Sequence, residues 1–137
     1  MLRSGGHYLF SVWDSLATNP AAAVVHEAMG HVFPDNPAAF FARAPHGYWD
    51  IPAIRSTLAS AGFNNITAEE LTLPSTAPDA HFAAVAMCQG SPLRNEIEAR
   101  APGRLGEITA IAAQALTRHF GPGPLQTTMK AIVFDAS

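Results

Sequence analysis

Three segments of the chain have the apolar runs or strict alternation that indicate β-strands. The first, His7 to Trp13, is an aromatic and β-branched run after the turn signal Ser4-Gly5-Gly6, and we expect a buried, interior strand there. The second, Phe63 to Leu73, and the third, Thr127 to Phe134, alternate apolar and polar positions. The pattern therefore predicts strands at the beginning, middle and end of the chain.

Apolar residues at helical spacing predict helices between these strands. Asn19-Pro20 supplies an N-cap and a first-turn proline and predicts a helix over 20–33, followed by a partly helical loop over 36–47. Asp50 caps the next helix, and Gly62 can take the left-handed conformation that ends it. Three further helices are predicted to begin after Asp79, at Ser91-Pro92 and near Leu105. The fold class is therefore mixed α/β.

Composition and charge limit the classes of function. The 137 residues contain 8 Lys and Arg against 11 Asp and Glu, so no basic surplus is present for binding nucleic acid. Apolar runs such as 21–25 fall far below the roughly 20 residues of a membrane helix, and no charged-then-apolar leader opens the chain. The single cysteine, Cys88, cannot form an internal disulfide. We expect one cytoplasmic domain, residues 1–137, with neither nucleic acid nor membrane as a partner.

Two motifs precede the first two predicted strands. They are Met1-Leu2-Arg3-Ser4-Gly5-Gly6, and Asp50-Ile51-Pro52-Ala53-Ile54-Arg55 continuing through Leu58 to Ala61-Gly62-Phe63. The first resembles the L-R-P-G-G turn before the fifth strand of a class I S-adenosylmethionine-dependent methyltransferase, with Ser4 where proline is usual. The second resembles that family's helix before strand six, and Met129-Lys130-Ala131-Ile132-Val133 resembles strand seven. The resemblance covers essentially the whole chain and implies a partial Rossmann-like sheet in the order five, seven, six.

The cofactor-binding half of that family has no counterpart in this sequence. In the family a glycine-rich turn after the first strand approaches S-adenosylmethionine, and an acidic residue after the second strand holds its ribose. Here Gly5-Gly6 and Gly121-Pro122-Gly123 each precede a strand. The resemblance therefore implies the substrate-side half of a small-molecule methyltransferase, cut before strand five and inactive alone because its S-adenosylmethionine site is absent. The alternative is a non-catalytic module derived from the same fold, which binds a small ligand or forms a dimer.

The end of the first strand contains the first group of candidate substrate-binding residues. Ser11, Trp13 and Asp14 lie there, and ligands of open α/β sheets bind beyond the carboxyl ends of strands. The resemblance implies that these three residues line the substrate pocket. The structural alternative is a buried Trp13 with Asp14 capping a turn.

A second group of candidates precedes the Asp50 helix. The segment His46-Gly47-Tyr48-Trp49 resembles an aromatic lid, and aromatic rings with a histidine suit a small apolar ligand. His46, Tyr48 and Trp49 therefore complete the predicted substrate-binding set, although packing of these rings against a helix explains the pattern equally well. The sequence contains no spacing that identifies a catalytic group.

The histidines do not predict a metal site. His26 and His31 are similar to the H-E-x-x-H helix of zinc proteases, but they are five residues apart instead of four. At about 100° per residue they point roughly 140° apart on a regular helix, so they cannot share one ion. Cys88, without a nearby ligand at a suitable spacing, is predicted to be a core residue.

The implied strand order also predicts an assembly. In the order five, seven, six, one edge of the first strand has no neighbour, and an unpaired apolar strand is a template for another chain. Charged residues make up only 14% of the chain, which suits an interface. We expect a two-fold homodimer in which 7–13 meets its symmetry mate, or in which helix 20–33, through Val24, Val25 and Phe33, covers the partner's sheet.

Overall fold

The computed structural model describes Arg3 and residues 5–137. Met1, Leu2 and Ser4 lie outside the described residues, and with them half of the first motif. In chain order the elements are β1 (Tyr8–Trp13), a 3-10 turn (Leu16–Thr18), α1 (Pro20–Val32), α2 (Phe40–Arg43), α3 (Ile51–Ser60), β2 (Ile66–Ala77), α4 (Ala80–Cys88), α5 (Leu93–Arg100), α6 (Leu105–Phe120) and β3 (Leu125–Ala136). None of the helices in this part of the chain is long and apolar enough to span a membrane.

The helices begin and end where their local chemistry predicts. Asp50 and Asp79 each cap a helix, because an Oδ1 atom accepts the backbone N–H of Ala53 at 3.4 Å and that of Phe82 at 2.7 Å. Gly62 follows α3 with φ +98°, a conformation that favours glycine. The caps predicted at Asp50 and Asp79 and the glycine stop are therefore confirmed. The capping role predicted for Asn19 is wrong: its side chain makes no capping bond to α1, because it is used in contacts with Asp14, Ser15 and Lys130.

The three strands form one sheet in the order β1-β3-β2, with β3 antiparallel to both neighbours. β1 and β2 consequently run parallel to each other, and their carboxyl ends lie at the same end of the sheet. The mixed α/β class is confirmed, and the last strand lies between the other two as expected. β2 covers Ile66–Ala77 instead of the predicted 63–73, and β3 covers Leu125–Ala136 instead of 127–134. Both extend to the Ala77↔Leu125 pair, where the β2–β3 ladder ends.

The prediction of a buried, interior first strand is wrong. β1 is an edge strand, with Leu9 66% exposed and Trp13 41% exposed. Its alternate residues Phe10 and Val12 pack against α3 and the rest of the sheet, whereas the side chains between them point to the opposite face. A short, mostly apolar run indicates a strand but does not show whether both of its faces are covered.

The buried apolar residues form two clusters. One lies between α3 and the sheet and is centred on Ile54, Ile132 and Phe134. The other joins α1, α2, α4, α5 and α6 and contains Val25, Met29 and other fully buried side chains. The opposite face of the sheet, called here the open face, has large exposed apolar side chains at Leu9, Trp13, Leu71, Leu73 and Met129.

The role predicted for the first helix in a dimer is not supported by its packing. Val25 of α1 is fully buried, and Val24 and Phe33 are partly buried against the same helical cluster. These three side chains therefore contribute to the chain's own core. Val25 could contact a partner's sheet only by leaving that core, whereas Val24 and Phe33 retain some exposed surface.

Candidate functional site

β1 ends in a turn that is held by buried polar contacts. The Asp14 N–H donates to the Lys130 carbonyl at 3.0 Å, which extends the β1–β3 ladder by one residue. Asn19, 3% exposed, crosses the turn: its side-chain amide donates to the Ser15 carbonyl at 2.9 Å and the Asp14 carbonyl at 3.2 Å. Its Oδ1 accepts the backbone N–H of Lys130 at 3.0 Å. Asn19 therefore fixes the carboxyl end of β1 against β3.

The Asp14 carboxylate is used within this turn. Its Oδ1 accepts the Ser15 N–H at 2.7 Å, and its Oδ2 lies 3.2 Å from the Lys130 ammonium, which also contacts Glu70 at 2.8 Å. Burial raises the pKa of the Asp14 carboxyl, but hydrogen bonds from Ser15 and Thr18 and the charge of Lys130 outweigh it, so the pKa lies below its ordinary value. The pKa of Lys130 is raised, mainly by its hydrogen bond to Glu70 and to a smaller extent by its hydrogen bond to Asp14. Asp14 thus caps a turn, as the structural alternative proposed.

His46 is the residue that joins the two predicted groups. It is only 8% exposed, and its Nδ1 lies 2.7 Å from the Asp14 carbonyl oxygen. A carbonyl can only accept, so Nδ1 is protonated and donates this hydrogen bond. The imidazole centroid lies 6.3 Å from the ring centroid of Trp13 and 6.5 Å from that of Phe41. The histidine therefore stands between β1 and α2.

An apolar cavity of about 220 Å³ lies beside these rings, at the carboxyl end of β1. Trp13 and His46 line it together with Phe41, Met87 and Met129. Its other lining residues are Asn19, Ala21, Ala22, Pro45, Ser75 and Thr128. A groove of about 340 Å³ lies beside Trp13 and is also lined by Ser11 and Tyr48. Trp13 and Pro45 line both spaces, so the two are neighbours.

The structure brings together four of the six predicted substrate-binding residues. Ser11 and Tyr48 line the groove, His46 lines the cavity, and Trp13 lines both. Asp14 lines neither and supports the turn. Trp49 also lines neither and is 45% exposed. Trp13 itself is not buried, contrary to the first part of the structural alternative.

Other lining residues were missed by the sequence reasoning. Phe41 comes from α2, Met87 from α4 and Met129 from β3, so they meet only through the tertiary fold. The sequence gives no spacing that links them. The alternation that placed Met129 on a strand is the only signal that pointed toward its position.

The remaining candidate groups for chemistry are the histidines of α1 and the single cysteine. Residues 3 and 5–137 contain no cluster of three or more His, Cys, Asp or Glu side chains that could hold a metal ion. His26 and His31 both lie on α1, the former partly buried and the latter exposed. Cys88 is fully buried, as predicted, and burial raises the pKa of its thiol to about 11.

The described residues do not fit S-adenosylmethionine. β1 is followed by the Asp14–Asn19 turn and β2 by Pro78 and Asp79, so neither of these strand-to-helix connections contains a glycine. Gly121 and Gly123, which have positive φ, precede β3. The Asp14 carboxylate is buried, has partners in Ser15 and Lys130, and lines neither the cavity nor the groove.

Comparison of the sequence with protein-family models finds no matching family, and comparison with curated proteins finds no matching relative.

Proposed function

We propose that this chain is a methyltransferase-like domain that binds a small apolar ligand beside Trp13 and His46 and transfers no methyl group by itself. The strand order β1-β3-β2 supports the comparison with strands five, seven and six of class I methyltransferases. In that comparison the chain is the substrate-side half. The observation that carries the proposal is the cavity at the carboxyl end of β1, the end at which ligands of open α/β sheets bind.

The lining of the cavity favours an apolar ligand. Its larger side chains are Trp13, Phe41, Met87 and Met129, with His46 as the one imidazole among them. Lys130 and Glu70, the nearest ion pair at the end of β1, do not line it. Aromatic and thioether groups contact flat apolar molecules well. The cavity therefore has the character of a small-molecule pocket with few polar groups.

The two tryptophans provide a matched test of ligand binding. Trp49→Phe leaves Trp13 as the only tryptophan, and Trp13→Phe leaves Trp49, which is similarly exposed but lines neither space. Titration with small phenols, quinones and lipids should change the fluorescence of the Trp49→Phe protein and leave that of the Trp13→Phe protein unchanged. Equal responses of the two variants, or none in either, would exclude the cavity as the binding site.

A second experiment tests the absence of activity. Methyl transfer to a bound acceptor requires the sulfonium group to be held close to it, and the described residues offer no such site. Isothermal titration of the purified chain with S-adenosylmethionine should therefore detect no binding, and labelled cofactor should yield no methylated product. Tight binding or turnover by the 137-residue chain would refute this part of the proposal.

The exposed edge of β1 favours a second function, a dimerisation module. The backbone N–H of Asp14 points toward β3, where it bonds to the Lys130 carbonyl. In an antiparallel ladder the backbone groups of every second residue point the same way, so those of Val12 and Phe10 also point toward β3. The backbone N–H and C=O groups of Leu9, Ser11 and Trp13 consequently face outward. Within residues 3 and 5–137 no backbone hydrogen bond reaches this edge from another segment.

A second copy of the chain would complement this edge. Charged residues and prolines protect edge strands from pairing with another chain, and β1 contains neither. In an antiparallel pair centred on Ser11, the outward groups of Leu9 would meet those of the partner's Trp13 across a two-fold axis. The exposed Leu9 side chain would then lie over an exposed indole. This arrangement would join two three-stranded sheets into one of six strands.

Sedimentation equilibrium at micromolar concentration tests the dimer. Ser11→Pro should give a monomer, since it removes an outward N–H and leaves the residues that face β3 unchanged. Val12 is unsuitable for this purpose because it packs between α3 and the sheet. Thr72→Pro is the control and should remain dimeric, because Thr72 is exposed on the opposite edge strand and its N–H faces away from β3, as alternation from the Asn65–Ser137 hydrogen-bonded pair requires. A wild-type chain that stays monomeric would refute the proposal.

A further inference from the structure

The hydrogen bond of His46 determines which ring nitrogen is available to a ligand. Nδ1 donates to the Asp14 carbonyl at 2.7 Å. In the neutral imidazole the other nitrogen, Nε2, then has no proton and presents a lone pair. The Asp14 carbonyl is itself held in place, because the Asn19 side chain also donates to it at 3.2 Å. The tautomer of His46 is thus set by the turn at the end of β1.

Nε2 of His46 has no hydrogen-bond partner among the described residues. Among the described residues, His26 Nδ1 is the one side-chain nitrogen or oxygen that is both fully buried and without a partner. Nε2 of His46 also has no partner, so it is not fully buried. His46 lines the cavity although the residue as a whole is 8% exposed. The accessible acceptor therefore belongs to an otherwise well-buried and oriented ring.

The remaining polar groups of the cavity are less specific. Asn19 is occupied by the turn, and Ser75 and Thr128 have hydroxyl groups that can donate or accept. His46 Nε2, as an acceptor without a proton, discriminates between a ligand that has an O–H group and one that has a methyl group in its place. A ligand without a donor would leave this nitrogen unpaired in an apolar space, which weakens binding.

We propose that the cavity recognises an apolar, aromatic-sized molecule through one hydroxyl group that donates to Nε2 of His46. This inference rests on the proposed ligand-binding function and specifies its ligand class. Phe41, Met87 and Met129 provide the apolar contacts, while His46 fixes the orientation of the hydroxyl end. The residue acts in recognition and orientation of the ligand.

Two ligands of nearly equal shape, 4-methylphenol and 1,4-dimethylbenzene, test the inference. Their dissociation constants are measured by following the Trp13 indole N–H signal in NMR spectra of the wild-type chain and of His46→Asn. Asparagine can keep a donor near the Asp14 carbonyl while removing the acceptor at the Nε2 position. The ratio of the phenol constant to the hydrocarbon constant should rise about fivefold in the variant, the effect of one neutral hydrogen bond.

A second measurement on the wild-type chain keeps the test independent of the variant's folding. The ¹⁵N chemical shift of His46 Nε2 should move when the phenol binds and stay constant with the hydrocarbon. If both ligands bind but neither the ratio nor the shift responds, the hydroxyl recognition is refuted and the proposed function stands. If neither ligand nor any related compound binds, the proposed function itself is refuted.

Discussion

Replacement of Asn19 by alanine should destabilise the fold, because this side chain ties the end of β1 to β3. It is 3% exposed, donates to the Ser15 and Asp14 carbonyls at 2.9 and 3.2 Å, and accepts the Lys130 N–H at 3.0 Å. Three hydrogen bonds at about 1 kcal/mol each give a loss of about 3 kcal/mol in the free energy of unfolding. The Lys130 N–H, left without its acceptor, makes this sum a lower bound rather than an upper one.

Urea denaturation followed by circular dichroism measures the effect, and a loss of this size should lower the melting temperature by roughly 10 °C for a chain of this length. Asn64→Ala is the matched control, because the Asn64 side chain is exposed and only its backbone N–H is bonded, to Ser137. The control should change the free energy of unfolding by less than about 0.5 kcal/mol. A loss below about 1 kcal/mol for Asn19→Ala would show that the turn holds without these bonds, and the reasoning would then fail.

Two further predictions concern titratable groups. The pKa of the Asp14 carboxyl is lower in the folded chain than its ordinary value of 3.8, so its ionised form stabilises the fold above that pH, and this contribution is lost as the pH falls through the folded-state pKa. Acid denaturation of Asp14→Asn should therefore show a weaker pH dependence than wild type between about pH 5 and pH 2, and identical acid limbs would contradict the assignment. With a pKa of about 11, only about one Cys88 thiol in a thousand is ionised at pH 8. Labelling of Cys88 by iodoacetamide should be very slow in the native chain and fast in urea, and rapid native labelling would contradict its burial.

The local elements could be predicted because their signals are contained within a few residues. An aspartate that caps a helix, as Asp50 and Asp79 do, needs only the N–H three positions later. The exposure of β1 needs more, since it depends on which elements cover the face that contains Leu9 and Trp13. Its edge position was expected only from the strand order that the resemblance implies. An apolar run of six residues does not contain that information.

The site was predicted in part for the same reason. Ser11 and Trp13 follow from the rule for strand ends, and His46 and Tyr48 from a short aromatic segment. The contact of Asp14 with Lys130 was not predicted, because Lys130 is more than a hundred residues away in sequence and meets it only through the β1–β3 register. Phe41 and Met87 were not predicted, because they lie on α2 and α4 and meet in the cavity wall only when these helices pack against the sheet.

Trp13 connects the two proposed functions, because its indole lines the cavity while its backbone groups face the outer edge of β1. In the proposed dimer the partner's Leu9 lies opposite Trp13, next to the groove that Ser11 and Tyr48 also line. Dimerisation would thus order the indole that a ligand contacts. Thermodynamic linkage makes this effect reciprocal. If dimerisation changes the ligand affinity of a subunit by some factor, ligand binding to that subunit changes the dimerisation constant by the same factor. The monomeric Ser11→Pro chain separates the two effects, since it retains every side chain that lines the cavity.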